Sequence, residues 1–221
     1  MMKNTFVLPA LLGTLLLLQG SCSAMEPYLT LYSERNSQGS SFTLFRGSHY
    51  IQEFDDKAKS ICGVGVWFLY EDPDYAEKST FVQEFIAGVH TCQDLDSSTS
   101  ALVSSARYAG TQDIYEDSLT MYYHSDHKGP EYLVMRDIDF VRDVFEDVAS
   151  SFVITGSSAW TVHEHPGMSG KSACMKPTQQ GNWYYGIFDV ADLHNFDNDM
   201  VSSVSKGCNS KNIVRYVPKH P

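Results

Sequence analysis

Two short stretches near the C-terminal end carry a dense set of oxygen donors: Glu146-Asp147-Val148-Ala149-Ser150-Ser151 and Asn198-Asp199-Met200-Val201-Ser202-Ser203. Each sets two acid or amide side chains, then two spacers, then two serines. Carboxylate, amide, hydroxyl and backbone carbonyl oxygens are what a hard cation such as calcium takes, about six to eight of them at flexible geometry. One stretch alone fills only part of such a shell, so the chemistry needs a fold that brings stretches together. Two related stretches lie earlier, Asp55-Asp56-Lys57-Ala58-Lys59-Ser60 and Ser100-Ala101-Leu102-Val103-Ser104-Ser105. The first has Lys59 where the others have a serine, and an ammonium offers no acceptor. The second lacks both leading acids.

Histidines and cysteines are the other groups with chemical reach. His124, His127, His163 and His165 could meet on a transition metal and support a hydrolase. No HExxH motif and no nucleophile–base signature accompanies them, so they read as hairpin or surface histidines and the chain reads as a non-enzyme. Cys62, Cys92, Cys174 and Cys208 lie 30 or more residues apart with no Cys-x-x-Cys pair. That spacing argues against zinc, and with Cys22 set aside in the leader-like N-terminal segment the even number left in an oxidising compartment argues for two disulfides.

The compartment follows from the N-terminus. Lys3, the apolar run from Phe6 to Leu18 and the small residues of GSCSA have the order of a secretory signal over residues 1–24, with cleavage after Ala24. The run is shorter than the roughly 20 apolar residues needed to span a bilayer, and no later segment could span one. A secreted, extracellular protein is expected. Net charge is −11 with no basic stripe, which excludes nucleic acid as a partner because nothing would neutralise phosphates.

Short runs with β-branched or aromatic residues recur at 28–32, 41–45, 65–70, 118–123, 131–135, 151–156 and 159–164, separated by turn residues such as Asn36, Gly39, Pro73, Gly129, Pro166 and Gly170. Many short strands without long helical periodicity predict an all-β sandwich. Residues 85–95 and 137–145 are expected to hold a helical turn or two. Four segments share a strand ending in an aromatic or histidine and then a polar turn: LYSERNSQGS from Leu31, LYEDPDYAEK from Leu69, MYYHSDHKGP from Met121 and VHEHPGMSGK from Val162. An acid-and-serine stretch follows the first, third and fourth of them, at 54–60, 145–151 and 196–203.

This pattern resembles the βγ-crystallin family, whose Greek-key motif has an aromatic, four residues, a second aromatic, one residue and a glycine, followed later by an Asn/Asp-Asn/Asp-x-x-Ser/Thr-Ser stretch. Tyr32 and Gly39, Tyr70 and Tyr75, Tyr122 and Gly129, and His163 and Gly170 fit it; Ser37, Glu77, His127 and Met168 depart from it. The resemblance implies two Greek-key β-sandwich domains, at residues 25–110 and 118–210, joined by a linker at 111–117 and followed by a tail at 211–221. It also implies that the two stretches of one domain lie side by side and that each of two calcium ions takes oxygens from both. In the second domain Asp147, Asp199, Ser150 and Ser202 would be side-chain ligands and Val148 and Met200 carbonyl ligands, with Glu146 and Asn198 leading the stretches. In the first domain Lys59, Ser100 and Ala101 imply that calcium binding is lost or weak. The two-domain repeat predicts that Cys62 pairs with Cys92 and Cys174 with Cys208. The function expected is that of a calcium-binding structural protein of the extracellular space. The alternative is a defence, lectin-like or enzyme-inhibitor protein that uses the same scaffold, without functional calcium, to bind an extracellular protein or glycan.

Overall fold

The computed structural model describes residues 24–142 and 145–218. The expected leader, up to Ser23, lies outside the described residues. Among the described residues, fourteen β-strands make nearly all the regular structure.

In the first domain, β1 (Tyr28–Glu34) pairs antiparallel with β2 (Gln38–Leu44) and with the first half of β3 (Ser60–Tyr70). The second half of β3 pairs with β5 (Ser105–Ala109), while β4 (Val82–Asp94) runs beside β3 from Ser60↔Asp94 to Tyr70↔Val82. The ladder shifts register between Gly63 and Gly65. Glycine is required at this kink: a Cβ on Gly63 would stand 2.2 Å from the Tyr28 carbonyl oxygen, and Gly65 has φ +109°.

In the second domain, β6 (Ser118–Tyr122), β7 (Glu131–Val134), β8 (Ser151–Thr155), β11 (Thr178–Gln180) and β12 (Trp183–Asp189) form one sheet in the order β11-β12-β8-β6-β7. The other runs β13-β9-β10-β14, from β9 (Trp160–His165), β10 (Ser169–Lys176), β13 (Ser203–Lys206) and β14 (Ile213–Arg215). Strand β12 follows the fourth hairpin but pairs with β8, which closes the third motif. In the first domain the end of β4 likewise pairs with the start of β3. That exchange between motifs is the Greek-key connection. Among the described residues there is no α-helix.

The helical turns expected at 85–95 do not form, because this segment belongs to β4. Phe85 and Ala87 face the core of the first domain while Ile86 faces the other way, a period of two rather than 3.6. Of the helical turn expected at 137–145, residues 137–142 form none, since Ile138 exchanges backbone hydrogen bonds with Val204 at 2.8 and 2.9 Å, while Phe145 stands in a 3-10 turn.

Three cores hold these elements. Leu29, Leu31, Ile61, Trp67, Leu69 and Phe85 help fill the first domain; Met121, Phe145, Phe152, Trp160, Val162 and Phe188 help fill the second. A third core joins the two, from Val66, Phe68, Tyr70 and Tyr75 to Tyr122, Val153, Trp183 and Tyr185, with Ile114 of the linker between them. Every residue of β3 is buried, because alternate side chains enter two different cores.

Candidate metal centre

The four oxygen-rich stretches fold alike, and the backbone assigns each position a task. The second residue, Asp56, Ala101, Asp147 or Asp199, takes a left-handed φ between 52° and 61°. Asp and Asn tolerate this conformation better than other non-glycine residues, which accounts for three of the four. The fifth residue is pinned by both backbone groups. Its N–H donates to the carbonyl of the first motif aromatic, Lys59 to Tyr32, Ser104 to Tyr70, Ser150 to Tyr122 and Ser202 to His163. Its carbonyl accepts from Leu95, Ile51, Val190 and Val141 respectively.

The sixth residue is a latch. The hydroxyls of Ser60, Ser105, Ser151 and Ser203 donate to the carbonyls of Glu34, Asp72, His124 and His165. The same oxygens accept the N–H of Ser37, Tyr75, His127 and Met168, at 2.9, 3.3, 3.0 and 3.0 Å. Those four residues have φ between 55° and 58°. They are the places of the second motif aromatic, so each stretch ties down the fold of its own hairpin.

With position six committed to the backbone, positions two and five keep side chains that can meet a ligand. They cross between stretches. Asp147 donates its N–H to Val201 (3.2 Å), and its Oδ1 accepts a hydrogen bond from Ser202 Oγ at 3.0 Å. Asp199 and Ser150 are the counterparts of this pair. Glu146, Asp147, Asn198 and Asp199 are exposed, and Val148 and Met200 are half-buried. Carboxylate, hydroxyl and carbonyl oxygens on a turn open to water are a donor set that suits a hard cation.

Crossing also sorts the departures in the first domain. Asp56 N–H donates to Val103 at 3.2 Å, the register of Asp147 on Val201, and so Asp56 stands opposite Ser104. Ala101 N–H donates to Ala58 at 2.7 Å, which sets Ala101 against Lys59. Both departures therefore fall in one position, and Lys59 Nζ turns to Glu34 at 3.2 Å. Burial, with the carboxylates of Asp55 and Glu71, pushes the Asp56 carboxyl above its ordinary value. Glu71 belongs to the hairpin rather than to any stretch, and the sequence reading passed over it; no local pattern marks it, since only the fold brings it near Asp56.

The four histidines occupy separate environments. His127 stacks on Phe68 with ring centroids 4.3 Å apart, and His163 Nε2 lies 3.0 Å from Ser205 Oγ. Burial lowers the His163 pKa. His124 faces Glu77 at 3.4 Å, and His165 is exposed. Cys62–Cys92 and Cys174–Cys208 form disulfides, each inside one domain. His90 lies beside the first, so that one ligand atom from each of Cys62, His90 and Cys92 falls within 4.8 Å of the others.

The domains meet at the second and third hairpins. Arg107 is 2% exposed and lies in position to donate to the Tyr70 hydroxyl at 3.0 Å, to the Gly129 carbonyl at 2.7 Å and to the His127 carbonyl. Its guanidinium carbon sits 4.5 Å from the ring centroids of both Tyr75 and Tyr122.

No family model and no curated protein matches the sequence. Among solved structures the chain is similar to Geodin, a βγ-crystallin from Geodia cydonium, at 20% identity, covering 82% of this chain and 99% of that one, with a TM-score of 0.63. A βγ-crystallin from an archaeon matches at 19% identity over 41% of this chain and 96% of that one, TM-score 0.34. Protein S complexed with calcium matches at 15% identity over 82% and 99%, TM-score 0.32. With its exchanged strands, four folded hairpins and four latching serines, the chain has a βγ-crystallin-like fold of Greek-key β-sandwich domains.

Proposed function

We propose that this chain is a secreted, calcium-binding structural protein of the extracellular space, and not an enzyme, with its main calcium positions in the second domain. The observation that carries the reading is the contact of Asp147 with Ser202, in which the acid of one stretch meets the hydroxyl of the other. One position would draw on Asp147 and Ser202 and the other on Asp199 and Ser150. Val148 and Met200 would add carbonyl oxygens, while Glu146 and Asn198 would add charge and polarity at the rim. In the first domain only the position of Asp56 and Ser104 keeps both an acid and a hydroxyl.

Bound calcium would supply a cross-link between two hairpin ends and would stabilise the folded chain by mass action. The leader-like residues 1–24 and the two disulfides support an oxidising, extracellular setting. A calorimetric calcium titration of the oxidised chain from Met25 onward tests the reading. Saturable heat is expected. No heat at millimolar calcium would overturn the proposal and leave the stretches as structural turns.

A further inference from the structure

The two disulfides have different surroundings. Cys174 is fully buried, and among the described residues no side-chain hydrogen bond reaches the sulfurs of Cys174 and Cys208. Cys62 and Cys92 stand directly opposite each other on β3 and β4, with Cα atoms 4.0 Å apart. Cys62 is 2% exposed and Cys92 lies open to solvent. Each sulfur has its own polar neighbour: Ser37 Oγ is 3.0 Å from Cys62 Sγ, and His90 Nε2 is 3.6 Å from Cys92 Sγ. The far nitrogen of that ring, Nδ1, is 2.7 Å from the Tyr28 hydroxyl. Ser37 fills the place held by Tyr75, His127 and Met168 in the other hairpins. A departure from the repeat thus puts a hydroxyl on the buried sulfur.

We propose that the Cys62–Cys92 disulfide is a thiol-exchange site whose substrate is a low-molecular-mass thiol of the glutathione class. Thiolates attack the accessible sulfur, and exchange is favoured when the leaving sulfur is stabilised. With Tyr28 accepting from Nδ1–H, His90 Nε2 is free to take the proton of the incoming thiol. The thiolate attacks Cys92 Sγ and a new S–S bond forms there as the Cys62–Cys92 bond breaks. The electron pair goes to Cys62 Sγ, which leaves as a thiolate and accepts a hydrogen bond from Ser37 Oγ–H. One disulfide replaces another, with no net oxidation. The β3–β4 ladder keeps the two cysteines opposed, so Cys62 can return to Cys92 and expel the added thiol.

The test treats the oxidised protein with reduced glutathione, quenches and alkylates it, and maps the products by mass spectrometry. The expected products are a glutathione adduct on Cys92 and an alkylated Cys62, formed about tenfold or more faster than any product at Cys174–Cys208. His90→Ala and Ser37→Ala should each slow this reaction about tenfold, with Trp67 fluorescence reporting that the domain stays folded. His90→Gln serves if the alanine variant does not fold. An adduct on Cys62, equal rates at the two disulfides, or unchanged rates in the folded His90 and Ser37 variants would overturn the proposal.

Discussion

Ser202 Oγ donates to Asp147 Oδ1 at 3.0 Å, across two stretches whose leading residues lie 52 positions apart in the chain. A ligand that needs both oxygens reports on the pairing of the stretches. Calcium at ten times its dissociation constant should raise stability by about 1.4 kcal/mol per position. The double change Asp147→Ala with Asp199→Ala should abolish the second domain's share of that gain in a thermal melt, leaving only the smaller part that Asp56→Asn removes. Lys59→Ser should have little effect, because Ala101 opposite it has no carboxylate. A calcium-dependent shift that survives all three changes together would show that the ion binds elsewhere.

Adjacent serines should behave differently. Ser203→Ala leaves the Met168 N–H and the His165 carbonyl without their shared partner, which should cost about 1–3 kcal/mol with calcium affinity little changed. Ser202→Ala should weaken calcium binding with a smaller loss of stability. Denaturant melts with and without calcium separate the two outcomes.

Two domains on a short linker suggest two melting transitions, but the third core and Arg107 predict one. Arg107→Met should cost roughly 3–5 kcal/mol, because the His127 and Gly129 carbonyls and the Tyr70 hydroxyl lose a buried partner. The variant should split the transition in two. Scanning calorimetry reads both effects, and two transitions in the parent chain would contradict this coupling.

Alkali should unfold the protein through its buried tyrosines. Burial pushes the Tyr75 hydroxyl up to about 12 and those of Tyr70, Tyr122 and Tyr216 well above their ordinary value. The unfolded chain releases these protons from about pH 10 while the folded chain keeps them, so stability is unaffected below pH 10 and falls as pH rises toward 12. An ultraviolet titration should show Tyr70 and Tyr122 ionising only as the fold is lost. Smooth ionisation with the fold intact would contradict the assignment.

The parts of this fold legible in the sequence were those written in local pattern. The runs at 28–32, 65–70, 118–123, 151–156 and 159–164 alternate or are continuously apolar, and strands β1, β3, β6, β8 and β9 stand there. The hairpin repeat was visible because a strand ending in an aromatic or histidine and then a polar turn recur four times, with a glycine seven residues after that aromatic or histidine in three of the copies. Strand β4 was misread in part, since its outer residues His90 to Gln93 are polar and exposed and its apolar ones face two different cores. Strands β10 and β11 are too polar to announce themselves. The crossing of the stretches was beyond local reading, as was the proximity of Glu71 to Asp56 and of Ser37 to Cys62, because each depends on how distant segments are brought together.

The placement of Arg107 also bears on which surfaces can associate. A first domain released from the second would bare Val64, Val66, Phe68 and Tyr70, an apolar face of the kind that usually finds a copy of itself. Self-pairing would leave each Arg107 guanidinium without the carbonyls of His127 and Gly129 that now receive it. A buried cation stripped of water and acceptors is strongly disfavoured. The buried cation thus makes the face selective for the domain tethered beside it and guards against homotypic assembly while the second domain is still being made.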